Sequence, residues 1–251
     1  YVNTVVFRTS FYRSRQRRIE FAMPAWIEDF IARYLGGQLP VRSKGSRAVV
    51  GFCGYAPSSG TGPRSARQRL KQAIRTGAKR LLTMLGLRKT DGSIRATALR
   101  ALAACPLIET NFEMRANFLG GALLPDGRVD VQKMQRIRQE YVQNTVGSDY
   151  VLCARGGGNF SYRLYETMNC GRIPVFVDTD CVLPYQSEIN WKAYCVWVDE
   201  KEVNRIGEKI AEFHESLSDQ QFVELQRECR RLWESHLSPE GFFANFYKHV
   251  Q

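Results

Sequence analysis

The stretch DYVLCARGGGNFSYRLYETMNCGRIPVFV (residues 149–177) decides the fold of this chain. It opens with an apolar run that does not alternate with polar residues, which is typical of a strand buried on both faces of a parallel sheet. Three glycines and a helix-like segment follow, and RIPVFV (172–177) then provides a second apolar strand. The stretch therefore predicts a strand–loop–helix–strand unit, the repeating element of α/β folds.

Strand and helix signals also alternate along the rest of the chain. Further strands are predicted at 47–53, 106–110 and 193–198, and helices at 64–85, 93–104, 130–145, 200–214, 218–234 and 239–250. We therefore expect a Rossmann-like parallel sheet with helices on both faces. Residues 1–46, which are strand-like at the start and helical after Pro24, form a predicted N-terminal segment. Residues 47–251 form the predicted sheet domain.

Charge is distributed unevenly along the chain. Residues 1–100 carry 20 Lys and Arg against 4 Asp and Glu, whereas the remaining residues carry 16 against 21. A basic half favours a polyanionic partner, such as nucleic acid, an acidic glycan, a membrane surface or nucleotide phosphates. The basic run Arg13, Arg15, Arg17 and Arg18 is suited to an anionic acceptor or a membrane surface. A basic nucleic-acid-binding module is therefore an alternative function, but nucleic acid is not the expected partner, because the basic residues are not interleaved with an aromatic stacking platform.

The seven cysteines indicate free thiols. They form no C-x-x-C pair, which argues against a zinc site. Their odd count and apolar surroundings favour a reducing compartment. No apolar run reaches the roughly 18 residues of a membrane span. The chain begins at Tyr1 and not at a methionine, which leaves room for an anchor ahead of it, and a Golgi-type location is expected if such an anchor was removed.

The loop after the first strand of the opening stretch has the composition of an anion site. Glycines allow the backbone to approach a ligand closely, and a helix N-terminus favours negative charge. Arg155 precedes the three glycines, and Asn159 or Ser161 can cap the helix that follows. The loop lacks the G-K-[ST] of a Walker-type phosphate loop, and Ser161 stands where G-x-G-x-x-G has its last glycine. From these residues alone, a tight structural turn remains the alternative.

The motif order over some 55 residues resembles the exostosin-type glycosyltransferases. That family carries Cys-x-Arg-Gly, then Ser-x-Arg-x-Tyr-Glu, Gly-x-Ile-Pro-Val, Leu-Pro-Phe and a Trp. The matching residues are Cys153, Arg155-Gly156, Ser161, Arg163, Tyr165-Glu166, Gly171, Ile173-Pro174-Val175, Leu183-Pro184-Tyr185 and Trp191. Met168, Asn169 and Tyr185 depart from the usual residues. The likeness is looser before residue 148.

The resemblance implies the donor-binding half of a GT-B glycosyltransferase whose N-terminal half is short or missing. It implies inverting transfer from a UDP-sugar to a carbohydrate hydroxyl, with the UDP-sugar as substrate and no cofactor required. Arg155 and Arg163 are expected to stabilise the leaving diphosphate. The expected donor contacts are Gly156, Gly157, Gly158, Asn159, Ser161, Tyr162, Arg163, Glu166 and Tyr185. Glu166 is expected to accept hydrogen bonds from the ribose hydroxyls, and Tyr55, Phe112 or Tyr185 to stack on the base.

The catalytic base and a metal are open questions at this stage. Glu20 is our prediction for the base, ahead of Glu28, Asp29 and Glu109, although a carboxylate at each of the four positions is more often an ordinary surface group. Asp178-Thr179-Asp180 offers a rival, because metal-dependent glycosyltransferases hold Mn²⁺ or Mg²⁺ through an Asp-x-Asp sequence. We interpret it as a solvated turn and expect no metal. The three histidines lie in predicted C-terminal helices and are expected to be packing or surface residues.

Overall fold

The computed structural model describes residues 4–55, 93–116, 118–124 and 126–249. Within them a five-stranded, fully parallel sheet has the order β4-β3-β5-β6-β7. Its strands are β3 (Val49–Tyr55), β4 (Glu109–Arg115), β5 (Tyr150–Cys153), β6 (Ile173–Asp178) and β7 (Val196–Asp199). Two short strands, β1 (Val6–Arg8) and β2 (Glu20–Ala22), form a separate parallel pair. The predicted helix at 64–85 lies outside the described residues.

The helices of the described residues follow the strands in alternation. The α-helices are α1 (Phe30–Tyr34), α2 (Ser93–Ala104), α3 (Val131–Val146), α4 (Tyr162–Asn169), α5 (Ile206–Ser216), α6 (Asp219–Leu232) and α7 (Pro239–Asn245). Short 3-10 turns occupy Arg13–Arg15, Phe118–Gly121, Trp191–Ala193, Glu200–Arg205 and Phe246–His249, and a π turn occupies Trp233–Leu237. The predicted alternation of strands and helices is confirmed.

Helices cover both faces of the sheet, as predicted. Successive strand residues point to opposite faces, so neighbouring residues of β3 show what lies on each side. Phe52 belongs to the main core with Leu102 of α2, whereas Cys53 belongs to a second cluster with Val142 of α3 and Phe30 of α1. The buried strands lie between these two layers. This is why β5 and β6 read as continuous apolar runs.

Some element boundaries differ from the predictions. β4 runs over Glu109–Arg115 and not 106–110, because its NFEMR half is a half-exposed edge strand without an apolar run. The helix predicted directly after Pro24 is confined to α1, because the Asp29 side chain caps it by accepting from the amides of Ile31 (2.9 Å) and Ala32 (3.3 Å). Pro174 is the second residue of β6, which lies between β5 and β7, and it comes before the ladder to β7 begins at Val175.

The N-terminal segment is fastened to the sheet domain by buried polar contacts. Arg172, fully buried, donates to the carbonyl oxygens of Pro40 (2.5 Å), Val146 (2.9 Å) and Gly171 (3.0 Å) and to the side-chain oxygen of Gln226 (3.0 Å). One guanidinium group thereby joins four parts of the chain. The division at residue 46 stays a prediction, but the described part of the segment packs on the domain through contacts of this kind.

The cysteines are free thiols, as predicted. All seven lie in the described ranges, six of them buried and Cys105 partly buried. The reducing compartment inferred from them stays a prediction. None of the helices in the described ranges combines the length and apolarity that crossing a bilayer requires.

Candidate active site

The predicted loop lies at the carboxyl edge of the sheet, between the end of β5 and the start of α4. Parallel strands end at the same edge, so this loop lies beside the end of β3. Arg95, in the first turn of α2, joins the two strand ends. Its Nη1 donates to the carbonyl oxygen of Tyr55 (3.4 Å) and its Nη2 to that of Ala154 (3.2 Å). Arg155, the next residue, is 3% exposed.

The N-terminus of α4 is capped in backbone geometry but not by a side chain. Ser161 has the extended conformation of an N-cap, with φ −135° and ψ 119°, yet its hydroxyl accepts no bond from the helix amides. That hydroxyl is buried and has no hydrogen-bond partner among the described residues. A buried hydroxyl left in this way costs about 1–3 kcal/mol. The first turn therefore keeps the Ser161 hydroxyl available for a ligand, whereas the amide of Leu164 already donates to the carbonyl oxygen of Ser161 (3.2 Å).

Two arginines at this edge have no carboxylate partner in the part of the chain that the structure describes. Arg163 Nη2 donates to the carbonyl oxygen of Cys53 (3.0 Å), and its guanidinium lies 4.5 Å from the ring centroid of Phe52. Neither Arg163 nor Arg95 forms an ion pair within the described ranges, and the Nε of each is buried without a partner there. Burial, and then the charge of Arg163, lower the pKa of Arg95 to about 10. An anion placed here would offset both the loss of solvation and the repulsion between the two guanidinium groups.

The glycines of this region make room for the arginines and for a ligand. Gly54 has φ +148°, and a Cβ on it would lie 2.3 Å from Arg163 Nη2, so a larger residue would displace that guanidinium. A Cβ on Gly156 would lie 3.2 Å from Arg95 Nη2. Gly157 is exposed with open space around it. The backbone at Gly157 is thus the part of the loop that a ligand can approach directly.

Asn159 ties the glycine loop to the N-terminal segment. Its amide donates to Ser10 Oγ (2.8 Å), its Nδ2 donates to the carbonyl oxygen of Phe11 (3.2 Å), and its Oδ1 accepts from Thr179 Oγ1 (2.6 Å). A Cβ on the preceding Gly158 would lie 2.9 Å from the same Ser10 Oγ. The side chain of Asn159 therefore shapes the loop, and its predicted contact with the donor stays a prediction.

Glu166 is engaged within the protein. It is buried, and its carboxylate accepts from Arg138 Nη1 (3.0 Å) and from the Tyr141 hydroxyl (2.5 Å). Burial and the adjacent charge of Glu166 raise the pKa of Tyr141 well above its usual value, so this phenol stays a proton donor to the carboxylate. The predicted role of Glu166 toward ribose hydroxyls stays a prediction, and both oxygens already have protein partners.

The aromatic residues predicted for stacking lie in different surroundings. Tyr185 is buried with φ +50°. Its hydroxyl donates to the carbonyl oxygen of Phe242 (3.0 Å), and its ring lies 5.4 Å from that of His236. Tyr55 is exposed at the end of β3, where its carbonyl oxygen accepts from Arg95. Tyr162 is also exposed, on the first turn of α4. Phe112, the third residue predicted for stacking, packs against the main core with its ring 6.4 Å from that of Phe52. Among the residues predicted for stacking, Tyr55 is the one whose ring is exposed, whereas Tyr162 was predicted only as a donor contact.

The two aspartates of the Asp-x-Asp sequence fasten the turn after β6. Asp178 accepts from Arg13 Nη2 (3.3 Å) and from the amide of Asp180 (3.0 Å). Asp180, with φ +65°, accepts from the hydroxyl of Ser14 (2.5 Å). Within the described ranges no three His, Cys, Asp or Glu side chains are grouped to hold a metal. These carboxylates hold the N-terminal segment.

A cavity of about 280 Å³ lies beside the glycine loop, in the N-terminal segment. Its lining residues are Arg8, Ser10, Phe11, Tyr12, Arg15, Arg17 and Glu20. Glu20, the predicted base, is 5% exposed, pairs with Arg8 Nη2 (3.1 Å) and accepts from the amide of Arg17 (3.0 Å). The structure thus places the predicted base and part of the predicted basic run in one cavity.

The other carboxylates considered for the base have structural partners. Glu28 accepts from the Tyr34 hydroxyl (2.9 Å), and Glu109 pairs with Arg47 (2.7 Å). Asp29 caps α1 and pairs with Arg230 (2.7 Å). Burial raises the pKa of Asp29, but the bonds from Arg230 and the helix amides outweigh that effect, so its pKa lies below the usual value. Each of these carboxylates therefore has a partner within the protein, which gives it a structural role.

Arg95 is the site residue that the sequence did not reveal. It stands in the helix SIRATALRALAA, where nothing in the local pattern separates it from Arg100. Only the parallel order of β3 and β5 brings its helix start to the same edge as the glycine loop. The one signal available was position, because the first turn of a helix in an α/β fold lies near the carboxyl ends of strands.

Comparisons with known proteins agree with the motif pattern. The family model "Exostosin GT47 domain" matches residues 88–213, half of the chain. Exostosin-1 of Drosophila melanogaster is 29% identical over 113 residues, which are 45% of this chain and 14% of the fly protein. "Probable beta-1,4-xylosyltransferase IRX10L" of Arabidopsis thaliana is 38% identical over 63 residues, 25% of this chain and 15% of that protein. The matches thus span about a seventh of each relative.

Among solved structures, "Crystal Structure of TarM" aligns with 93% of this chain and 39% of its own, at a TM-score of 0.45 and 11% identity.

Proposed function

Because the chain belongs to the exostosin GT47 family of glycosyltransferases, we propose that it moves a sugar from a UDP-sugar to a hydroxyl of a carbohydrate acceptor. One observation carries the proposal. At the carboxyl edge of the sheet, Arg95 and Arg163 lie without ion pairs in the described ranges, beside a helix N-terminus whose serine hydroxyl has no partner there. Such a site binds an anion, and a diphosphate supplies two adjacent anionic groups.

The proposed reaction is a single displacement with inversion at the anomeric carbon. The acceptor hydroxyl loses its proton to a base, and its oxygen forms the new bond to the anomeric carbon. The bond from that carbon to the diphosphate oxygen breaks, and the diphosphate leaves with the electron pair. The negative charge that develops on the diphosphate is the charge that the enzyme must stabilise.

The residues of the carboxyl edge take the proposed roles toward that charge. Arg155, Arg163 and Arg95 supply guanidinium groups, and the amides at the start of α4 and the Ser161 hydroxyl supply hydrogen bonds. These donors are held in place before the substrate arrives, as electrostatic stabilisation requires. Removing one donor of this type typically lowers kcat by about 10²–10³. In the proposed GT-B arrangement the acceptor approaches from the side of the N-terminal segment, where Glu20 is the proposed base.

Calorimetry with UDP tests the proposal, using Arg95→Gln and Arg100→Gln as a matched pair. Both arginines lie on α2, but Arg100 is exposed, and its bonds to described residues stay within its own helix, at Ala96 and Thr97. We expect UDP to bind the unaltered protein. Its Kd should rise about tenfold or more in Arg95→Gln, through loss of a charge-assisted hydrogen bond, and stay unchanged in Arg100→Gln.

Absence of UDP binding by the unaltered chain would contradict the proposal. So would equal UDP affinity in Arg95→Gln and the unaltered chain. Far-UV circular dichroism of each variant without UDP shows that the fold is retained, so a loss of affinity reports on the site.

A further inference from the structure

One edge strand of the sheet, β4, is open to pairing with another chain. Within the described ranges β4 pairs with β3 alone, over seven residues and without a bulge. Proteins commonly protect such an edge by making the strand short or by placing proline, lysine or a bulge in it. The strand at the opposite edge, β7, has four residues, whereas the sequence ETNFEMR of β4 contains neither proline nor lysine. β4 therefore lacks the usual protection against a further strand.

The backbone groups of alternate β4 residues point away from β3. The Glu109 amide donates to the carbonyl oxygen of Ala48 (2.8 Å), so Glu109 faces β3. In a regular strand the amide and carbonyl groups of successive residues point to opposite sides within the sheet, so those of Thr110, Phe112 and Met114 point outward. The side chains of Thr110 and Met114 are exposed. Another chain can therefore reach the outward groups.

The sequence of β4 is complementary to itself when two copies pair antiparallel. With a two-fold axis at Phe112, this residue lies opposite its counterpart and Thr110 lies opposite Met114, so the outward groups of both strands exchange hydrogen bonds. Glu109 of one copy then lies opposite Arg115 of the other, and the same pair forms at the other end. Such non-hydrogen-bonded pairs bring side chains closest together in an antiparallel ladder. Opposite charges therefore meet at both ends of the paired strands.

The charges beside these two residues continue the alternation of sign. Glu109 pairs with Arg47 (2.7 Å), and Arg115 pairs with Glu140 (3.1 Å). Glu109 and Arg115 lie on the same face of the sheet, because positions separated by an even number of residues share a face. In the paired strands a positive, a negative, a positive and a negative side chain would follow one another: Arg47, Glu109, then Arg115 and Glu140 of the second copy. Charge networks of this kind stabilise more than isolated surface pairs.

Like charges disfavour the neighbouring registers. A shift of one residue would set outward groups against groups that face β3, so it forms no ladder. A shift of two residues restores the ladder, but in one direction it places Glu113 opposite its own counterpart, and in the other it places Glu113 opposite Glu109. Carboxylates directly opposite each other are destabilising. The register centred on Phe112 is therefore the one that the charges of β4 favour.

We propose that two copies of this chain associate through β4, joining their sheets across a two-fold axis at Phe112. The proposal goes beyond glycosyl transfer and does not depend on it. Because the two β4 strands run in opposite directions, the carboxyl edges of the two sheets lie on opposite sides of the joined sheet. The two candidate active sites therefore face away from each other, and the pairing leaves both of them open.

Sedimentation velocity and amide hydrogen exchange test the proposal without any ligand. From about 1 to 100 µM protein we expect a reversible equilibrium between one chain and two. By NMR, the outward amides of Thr110, Phe112 and Met114 should exchange rapidly in dilute protein and become protected as the dimer forms. The amides of Asn111 and Glu113, which face β3, should be protected at every concentration. This pattern distinguishes pairing through β4 from association through any other surface.

Thr110→Pro and Thr110→Val form the first pair of variants. Proline removes an outward amide and leaves the ladder between β3 and β4 intact, since proline is tolerated in an edge strand on the side that faces solvent. Valine keeps the amide and the preference for a strand. We expect Thr110→Pro to be a single chain at every concentration tested and Thr110→Val to dimerise like the unaltered protein.

Glu109→Lys and Glu113→Lys form the second pair and test the register. Both exchange a glutamate for a lysine on the same face of the same strand. In the proposed register Glu109→Lys puts two cations opposite each other at both ends, so the Kd of the dimer should rise about tenfold or more. Glu113 lies opposite the neutral Asn111 of the second copy, so Glu113→Lys should change the Kd by less than about threefold.

Four results would overturn the inference. They are a single chain at every concentration, a dimer that survives Thr110→Pro, a dimer that leaves the three outward amides unprotected, and a loss in Glu113→Lys as large as that in Glu109→Lys. Far-UV circular dichroism of each variant shows whether the fold is retained. If Thr110→Pro does not fold, the exchange pattern of the unaltered protein and the two lysine variants still decide the question.

Discussion

The arginines of this protein differ in what their guanidinium groups contact. Arg172 is fully buried, and its donors meet the carbonyl and amide oxygens of four chain segments. Burial lowers its pKa to about 10, yet all its donors are engaged. Arg95 and Arg163 are less buried, and each retains an Nε without a partner among the described residues. The first kind of arginine maintains the fold, and the second kind leaves hydrogen bonds for a ligand.

Arg172→Lys should destabilise the protein although it preserves the charge. A lysine ammonium is a compact group with three donors, so it cannot reach all the oxygens that the planar guanidinium joins. Buried acceptors left without donors cost about 1–3 kcal/mol each. We expect the free energy of unfolding to fall by about 2–4 kcal/mol. Urea denaturation measures this, with Arg205→Lys as the control, because Arg205 pairs with Glu208 on the exposed surface. A similar small loss in both variants would contradict the role of Arg172.

The arrangement at helix N-termini differs between a structural helix and the helix proposed to bind the ligand. α6 begins with a complete capping box. The Ser218 hydroxyl accepts from the Gln221 amide (3.2 Å), and the Gln221 side chain accepts from the Ser218 amide (2.8 Å). α4 begins with Ser161, whose hydroxyl makes no such bond. Two serines at the same position of two helices therefore have different energetic roles.

The two serines should respond in opposite ways to substitution by alanine. Ser218→Ala should lower the free energy of unfolding by about 1 kcal/mol, the usual cost of losing a cap. Ser161→Ala should leave stability unchanged or raise it slightly, because a buried hydroxyl without a partner is removed. UDP affinity should fall about tenfold in Ser161→Ala only. Thermal unfolding with and without UDP measures both quantities. A cap-sized loss of stability without UDP in Ser161→Ala would show that its hydroxyl serves the helix.

The elements that could be predicted from the sequence are those whose signal is local. β5, α4 and β6 occupy a continuous stretch in which a buried apolar run, a glycine loop and a second apolar run follow one another. The sequence predicts this strand at 106–110, whereas β4 spans Glu109–Arg115. An edge strand pairs with one neighbour and needs no apolar run, so the half-polar residues of β4 show no strand pattern. The helix after Pro24 was predicted too long, since the capping bonds of Asp29 fix its start.

Only those residues of the candidate site that lie in the glycine loop and the helix after it could be predicted from the sequence. Arg155, Ser161 and Arg163 stand together in the glycine loop and helix, so the pattern revealed them. Arg95 reaches the same edge from another helix, through the strand order. The burial of Tyr185 against the C-terminal helices follows from tertiary packing, which a motif does not encode. Residues that the strand order or tertiary packing brings together from distant parts of the sequence could therefore be identified only from the structure.

At the scale of the whole molecule, buried cysteine thiols link stability to pH. Burial raises the pKa of Cys153, Cys170 and Cys181 to about 12, from 9.0 for an exposed thiol. The unfolded chain therefore releases these protons at lower pH than the folded protein does. Stability from this source is complete below about pH 9 and is lost as pH rises toward about 12.

Urea denaturation under reducing conditions at pH 8, 9, 10 and 11 should show this loss. Each thiol contributes a slope of up to about 1.4 kcal/mol per pH unit between the two pKa values. Cys153→Ala should reduce the slope while also lowering stability at every pH through the cavity that it creates. A free energy of unfolding that does not change from pH 8 to 11 would contradict the linkage.

The strand order also has a consequence for synthesis of the chain. β3 lies between β4 and β5, and the amide of Val49 is bound by Asp149 (2.8 Å), 100 residues later. At roughly 5–20 residues per second, a ribosome needs about 5–20 s to add those residues. During that interval the β5 side of β3 has no neighbouring strand. We therefore expect the nascent protein to need protection from aggregation, by a chaperone or by the ribosome surface, until β5 has emerged.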